Sequence, residues 1–180
     1  MATRVGALAP LPATRVRAPA TLILALILTA VLALVLAACG QSGLADAIAE
    51  YSDSPITIVG LLAEEFTVTP GDLAALECVS RSAAGQTDKG GKVAGIGPTL
   101  TTFLAEYGKT PADFTLVRFI ASDAYRITLR QKTLTERDIV LSLANGEDPL
   151  PGSQRPMRLV IPGAESSQWI YAVERIEFEY

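Results

Sequence analysis

The sequence predicts an α+β fold, with β-rich mixed sheets and a few short helices, over residues 55–180. Short runs rich in β-branched and aromatic residues recur there, separated by strong turn signals such as Ser122-Asp123-Ala124 and Asn145-Gly146. Two stretches among the early runs carry a helix cap followed by apolar residues, and they begin at Thr69 and at Thr99. Strands dominate the second half, so the whole segment is expected to be one α+β domain.

The first half of this domain alternates strands with short helices. Pro70 suits the first position of a helix that Thr69 can cap, and Gly108 is a good residue to follow a helix that begins after Thr99. Apolar residues of the second helix recur at helical spacing, at Leu100, Phe103, Leu104 and Tyr107. The predicted strands cover residues 56–62, 66–69, 77–83 and 92–96, with a polar loop at 85–91.

The second half is a series of strands joined by turns. Asp123 is expected to accept a hydrogen bond within the first of these turns, and Trp169 is expected to pack in the core. Prolines after Asn145-Gly146 favour an extended, irregular connection. The predicted strands cover residues 114–121, 125–130, 138–144, 157–161 and 173–180.

The first 38 residues have the features of an export signal. Arg4, Arg15 and Arg17 precede an uninterrupted apolar run over residues 21–38. The sequence Leu36-Ala37-Ala38-Cys39 resembles the lipobox of bacterial lipoproteins, in which the cysteine becomes the lipid-bearing first residue. An uncleaved membrane-spanning helix is the alternative. We therefore predict a signal peptide (1–38), a tether (39–54) and a domain (55–180) that is exported and lipid-anchored to the outer face of a bacterial membrane.

Charge and residue usage exclude several classes of function. All 19 acidic residues follow Cys39, and 12 of the 15 basic residues do so, which makes the mature part acidic and disfavours nucleic-acid binding. The chain has no histidine, so a Ser-His or Cys-His nucleophile and an imidazole metal ligand are excluded. If Cys39 carries lipid, Cys78 is the remaining thiol and no intramolecular disulfide can form.

Three motifs in the second half occur in an order that resembles a known domain. They are Ser122-Asp123-Ala124-Tyr125, the run from Asn145 to Pro151, and Arg158-Leu159-Val160-Ile161-Pro162-Gly163, followed by Trp169 and a last strand. This order resembles the molybdopterin-binding domain of the sulfite oxidase family. Two positions depart from the family pattern: Ala124 replaces a turn glycine, and Asp148 is inserted before a proline.

The resemblance implies a possible cofactor site. In catalytic members of the family a cysteine thiolate binds molybdenum beside the pterin, in a segment similar to L-Q-C-x-G-N-x-R. Here Leu76-Glu77-Cys78-Val79-Ser80-Arg81 supplies the cysteine and an arginine but lacks the Gly-Asn pair. Cys78 is thus the candidate metal ligand, with an ordinary buried cysteine as the alternative. Arg81, Arg126 and Arg158 are the candidate cofactor-binding cations.

Three functions remain open on this basis. The sequence favours a non-catalytic module with no cofactor, which binds a small ligand or a membrane protein partner. The second hypothesis is a molybdopterin-dependent oxidoreductase with Cys78 as the molybdenum ligand, and the third is a structural adaptor lipoprotein. Arg15-Val16-Arg17 is not the adjacent arginine pair of the export route that folded molybdoenzymes usually take, which disfavours the oxidoreductase.

Overall fold

The computed structural model describes residues 41–84, 92–164 and 169–180, which belong to one compact unit. The proposed signal segment, Cys39 and the predicted loop at 85–91 lie outside these residues. Two short 3-10 helices also occur, at Pro111–Asp113 and Gly152–Gln154. The α-helices are α1 (Gln41–Ile48), α2 (Pro70–Ala74), α3 (Leu100–Ala105) and α4 (Gln131–Glu136).

The strands form three sheets. One has five strands in the order β2-β1-β11-β5-β6, one has four in the order β3-β4-β8-β9, and one pairs β10 with β7. Strands β1 and β11 are parallel, and the other paired strands are antiparallel. The strands are β1 (Ile56–Val59), β2 (Phe66–Val68), β3 (Cys78–Ala84), β4 (Lys92–Pro98), β5 (Leu116–Ala121), β6 (Arg126–Arg130), β7 (Val140–Ser142), β8 (Ala144–Asn145), β9 (Asp148–Pro149), β10 (Arg158–Val160) and β11 (Val173–Glu179).

The two-stranded sheet lies between two hydrophobic cores. Leu141 and Leu159 are paired and belong to the larger core, while the next pair, Val140 and Val160, belongs to a smaller core with Trp169. Successive residues of a strand point to opposite faces, which explains why neighbours on one strand enter different cores. Trp169 is buried, so its predicted packing role is confirmed.

Glycines at alternate positions of β4 allow this strand to lie close to the two-stranded sheet. A Cβ atom on Gly95 would lie 2.6 Å from Val160 Cγ2 and 2.9 Å from Ser142 Oγ. A Cβ atom on Gly97 would overlap the carbonyl oxygen of Leu141. Because β4 has no room for a side chain at these two positions, the Gly-x-Gly spacing sets how closely the two sheets pack there.

The first helix is packed into the larger core rather than extended away from it. The Tyr51 hydroxyl donates to the carbonyl oxygen of Leu143 (2.7 Å) and accepts from the amide of Leu150 (3.1 Å). The predicted tether over residues 39–54 therefore includes side chains that pack in the domain, and the end of the signal peptide stays a prediction. The buried side chains of this segment are Leu44, Ala47, Ile48 and Tyr51.

The predicted helix ends are confirmed. Thr69 Oγ1 accepts from the amide of Asp72 (3.1 Å), and the Asp72 carboxylate accepts in return from the amide of Thr69 (2.9 Å), which is a capping box. Thr99 Oγ1 accepts from the amide of Thr102 at 3.0 Å and begins α3. Gly108 follows α3 with a φ of +65°, a conformation that costs glycine little.

The turn between β5 and β6 contains Ala124, where the domain that this sequence resembles has a glycine. Ala124 has a φ of +65°, a region that is unfavourable for a residue with a Cβ atom. Asp123 Oδ1 accepts from the amide of Tyr125 at 2.9 Å, which confirms the predicted role of this aspartate in the turn. The turn therefore has a left-handed conformation at a residue, Ala124, that does not favour it.

We expect Ala124→Gly to stabilise the chain by about 1 kcal/mol, because the strain of the left-handed alanine exceeds the added entropy of an unfolded glycine. Urea unfolding would measure the difference in the free energy of unfolding. Ala75→Gly is the matched control, since Ala75 is exposed with a φ of −74° and should instead lose about 0.5–1 kcal/mol. Equal losses for both variants would contradict the expectation.

Candidate functional site

Cys78 begins β3, directly after α2, and it is half-buried against the larger core. Its Sγ atom lies 3.9 Å from the carbonyl oxygens of both Leu73 and Ala74. These neighbours are hydrogen-bond acceptors, which favour a thiol and disfavour a thiolate. The position is therefore that of a packed thiol near the end of a helix.

Burial raises the pKa of the Cys78 thiol from 9.0 to about 11. No cation contributes to this shift, in contrast to reactive cysteines, whose pKa is lowered by neighbouring positive charge. In the chain without a metal this environment favours the protonated thiol at neutral pH, and a metal would have to displace that proton.

We expect iodoacetamide to alkylate Cys78 about a hundredfold more slowly in the folded chain than in urea at pH 8, because the pKa is higher by two units. Mass spectrometry of the Cys78 peptide would follow the reaction. Since the unfolded thiol ionises first, the shift also predicts a loss of stability as the pH rises from 9 toward 11. Rapid alkylation of the folded chain would contradict the packed thiol.

Arg81 lies three residues after Cys78 on the same strand and so projects from the opposite face. Its Nε atom donates to Asp138 Oδ2 at 2.6 Å, and both side chains are more than 40% exposed. This geometry is that of a solvated surface ion pair, which contributes little to stability and is already occupied by a carboxylate. Arg81 and Cys78 are therefore not brought together.

Arg126 begins β6, the strand at one edge of the five-stranded sheet. Its side chain is exposed and shares a face with Arg130, as their spacing of four predicts. Within residues 41–84, 92–164 and 169–180 it forms no ion pair. It thus lies in a different sheet from Cys78 and Arg81.

Arg158 lies in β10 and is only 3% exposed. Its guanidinium donates to Gln154 Oε1 (2.7 Å), the carbonyl oxygen of Ala94 (3.1 Å) and Asn145 Oδ1 (3.0 Å). Burial lowers the pKa of Arg158, against smaller opposing effects of nearby tyrosines. The guanidinium therefore connects β10, β4 and the β8–β9 turn. All three acceptors are neutral, and among the described residues no carboxylate partners this buried charge.

The four candidate residues are distributed over three sheets. Cys78 and Arg81 lie in the four-stranded sheet, Arg126 in the five-stranded sheet and Arg158 in the two-stranded sheet, although the Arg158 guanidinium reaches Ala94 of the four-stranded sheet. Over the described part of the chain, no three His, Cys, Asp or Glu side chains are arranged to hold a metal ion. A molybdopterin site needs a thiolate and convergent cations for the pterin phosphate. Here Arg81 projects away from Cys78 and pairs with Asp138, and Arg158 already donates to three neutral acceptors, so the described residues do not supply such a set.

A groove of about 450 Å³, which no sequence motif predicted, lies beside α2 and α3. Three aromatic side chains line it, and Tyr107 is 5.3 Å between ring centroids from both Phe66 and Phe103. Asp72 and Glu106 lie at its border. The helical spacing of Phe103 and Tyr107 predicted a shared face, but Phe66 comes from β2 and reaches them only through the tertiary fold.

Comparison with solved structures identifies a relative of this fold. The sulfane dehydrogenase SoxCD from Paracoccus pantotrophus is similar to this chain with a TM-score of 0.58 and 20% sequence identity. The similarity covers 71% of this chain and 38% of that chain, so this chain spans well under half of the length of that protein. No family model and no curated protein matches the sequence. The predicted α+β class is confirmed, with the sulfite-oxidase-like molybdopterin-domain fold.

Proposed function

We propose that this chain, which has a sulfite-oxidase-like molybdopterin-domain fold, is a lipid-anchored module outside the cytoplasm that binds a small ligand or a membrane protein partner without catalysing a reaction. The observation that carries the proposal is the environment of Cys78. Its thiol faces carbonyl oxygens, its pKa is raised to about 11, and Arg81 projects away from it. A residue in this setting stabilises a fold rather than holding a metal.

The proposed location rests on the N-terminal sequence. A basic segment, an apolar run and Leu36-Ala37-Ala38-Cys39 together support lipid attachment at Cys39. Growth of the host with a labelled fatty acid should label the chain and place it in the membrane fraction. Cys39→Ser should lose the label, whereas Cys78→Ser should keep it. Equal labelling of the Cys39→Ser variant would contradict the lipid anchor.

A molybdopterin-dependent oxidoreductase is the second candidate, because the similar structure is that of a dehydrogenase. Cys78 would be its metal ligand, and Arg81, Arg126 and Arg158 its candidate cations. The disposition of these residues disfavours this candidate, and no reaction step is derived from it. A structural adaptor lipoprotein, with its acidic surface as the interaction face, is the third candidate.

Metal and pterin analysis separates the second candidate from the others. The full-length chain, purified from its own host, should contain molybdenum and fluorescent pterin well below one equivalent. Cys78→Ser should leave this content unchanged, and Lys132→Ala, at an exposed residue that is not a candidate ligand, serves as the surface control. Stoichiometric molybdenum and pterin that are both lost in Cys78→Ser would overturn the non-catalytic proposal.

A further inference from the structure

The groove beside α2 and α3 has walls of aromatic side chains that are inclined to one another. The rings of Phe66 and Tyr107 meet at 44°, and those of Phe103 and Tyr107 meet at 62°. Phe103 is buried, whereas Phe66 and Tyr107 are half-buried and contribute surface to the groove. The three rings pack against one another, and the exposed parts of Phe66 and Tyr107 present aromatic surface to the groove.

The charge around the groove is negative. Asp72 and Glu106 line it, and within the described part of the chain neither carboxylate forms an ion pair, although Asp72 Oδ2 accepts from the amide and hydroxyl of Thr69. Lys109, the basic residue nearest in sequence to Tyr107, instead lies over the ring of Tyr180 at 5.0 Å. Burial raises the pKa of Tyr107, and the charges of Asp72 and Glu106 add to the rise.

From this geometry we propose that the groove binds a small organic cation with an alkylated ammonium group, in contact with Phe66 and Tyr107, which Phe103 supports from below, and with Asp72 and Glu106 as nearby negative charges. Aromatic faces attract such cations, which lose little hydration when they are buried. A volume of about 450 Å³ is in the range of small-ligand sites. Asp72 and Glu106 are exposed and hydrated, and their charge disfavours an anion and favours a cation over a neutral ligand.

The ammonium group could belong to a free metabolite or to the headgroup of a membrane lipid, and both present the same chemistry. The proposal rests on the ligand-binding role given above and names the class of ligand. It does not depend on Cys78, which is not among the residues that line the groove. If the groove binds no cation, the proposed binding of a protein partner is unaffected. Molybdenum in the chain would overturn the non-catalytic role whether or not a cation binds.

Choline and 3,3-dimethylbutan-1-ol, its neutral isostere, are the probes. The full-length chain in maltoside micelles, which contain no ammonium group, would be titrated with each and followed by NMR. We expect saturable binding of choline and at least about tenfold weaker binding of the isostere, because the difference isolates the cation–π and charge terms. Equal affinity for both probes, or no saturable binding of choline, would overturn the proposal.

Matched variants test the named residues. Tyr107→Leu should weaken choline binding about tenfold, whereas Tyr107→Phe keeps the ring and should bind within about twofold of the original chain. Glu106→Gln removes one exposed carboxylate and should weaken binding about threefold. Glu136→Gln is the control, because Glu136 is exposed and does not line the groove. Identical affinities for Glu106→Gln and Glu136→Gln would contradict the counter-charge role of Glu106.

Vesicles distinguish the source of the ammonium group. If a lipid headgroup is the ligand, the chain should bind phosphatidylcholine vesicles more tightly than phosphatidylglycerol vesicles. Tyr107→Leu should abolish this difference in binding. If a free cation is the ligand, the chain should bind choline, and it should bind the two kinds of vesicle equally. Much tighter binding of a peptide that contains trimethyllysine than of choline would replace a small ligand with a protein partner and overturn the proposal.

Discussion

Gly97→Ala is expected to destabilise the chain by about 3–5 kcal/mol, a large part of the stability of a domain of this size. The added Cβ atom would overlap the carbonyl oxygen of Leu141 and lie 2.9 Å from its carbonyl carbon. These are backbone atoms, so no rotation of a side chain relieves the overlap. The amide of Leu143 also donates to the carbonyl oxygen of Ile96 at 2.7 Å, which holds β4 beside β7 at this point.

Alanine substitutions at two other glycines are expected to cost less stability than Gly97→Ala. Gly95→Ala should be less harmful than Gly97→Ala, because its neighbours are the side chains of Val160 and Ser142, which can shift. Gly152→Ala should be nearly neutral, since nothing lies within 4 Å of the added atom. Urea unfolding followed by the fluorescence of Trp169 would give the order of stabilities. A Gly97→Ala chain as stable as Gly152→Ala would contradict the close packing of β4.

Arg158→Ala is expected to lower the free energy of unfolding by about 3–4 kcal/mol, because it removes a buried side chain and leaves several acceptors without a donor. Three acceptors on different segments now share this guanidinium, including Asn145 Oδ1 and the carbonyl oxygen of Ala94. Arg158→Lys should recover only part of the loss, since one ammonium group cannot reproduce the planar fork. Arg126→Ala, on the exposed edge strand, should change stability by less than about 0.5 kcal/mol.

This prediction also separates two roles for Arg158. A residue that holds a cofactor can be replaced with loss of the cofactor and little loss of stability in the apo chain. A residue that connects structural elements loses stability whether or not a cofactor is present. The two roles would be distinguished by thermal unfolding of the Arg158→Lys chain, measured both before and after extraction of any bound pterin. A melting temperature equal to that of the original chain would contradict the structural role.

Turn residues and helix caps made much of the fold predictable. The side-chain bonds of Thr69, Thr99 and Asp123 are local, so the residues that make them stand within three positions of each other. Helix α4 was not predicted, since its sequence has one buried apolar residue, Leu134, and no capping side chain at Arg130. Its helical form depends on packing rather than on a local signal.

The helical face of α1 was present in the sequence but was not recognised among small and polar residues. Its buried side chains Ala47 and Ile48 lie three and four residues after Leu44, which is the pattern of an amphipathic helix, and the buried Tyr51 follows in the turn after the helix. Similarly, the spacing of Cys78 and Arg81 on one strand already implied opposite faces. The groove could not be predicted, because Phe66 meets Tyr107 only after β2 and α3 are placed by the tertiary fold.

The early start of α1 has a consequence for how far the domain can reach. With the proposed lipid on Cys39, only Cys39 and Gly40 stand before the first residue of α1, a span of about 7 Å at full extension. If Cys39 carries the proposed lipid, a tether of this length would keep the domain next to the membrane surface. Under that proposal, its partners would be molecules that diffuse laterally in the same bilayer or come to its surface.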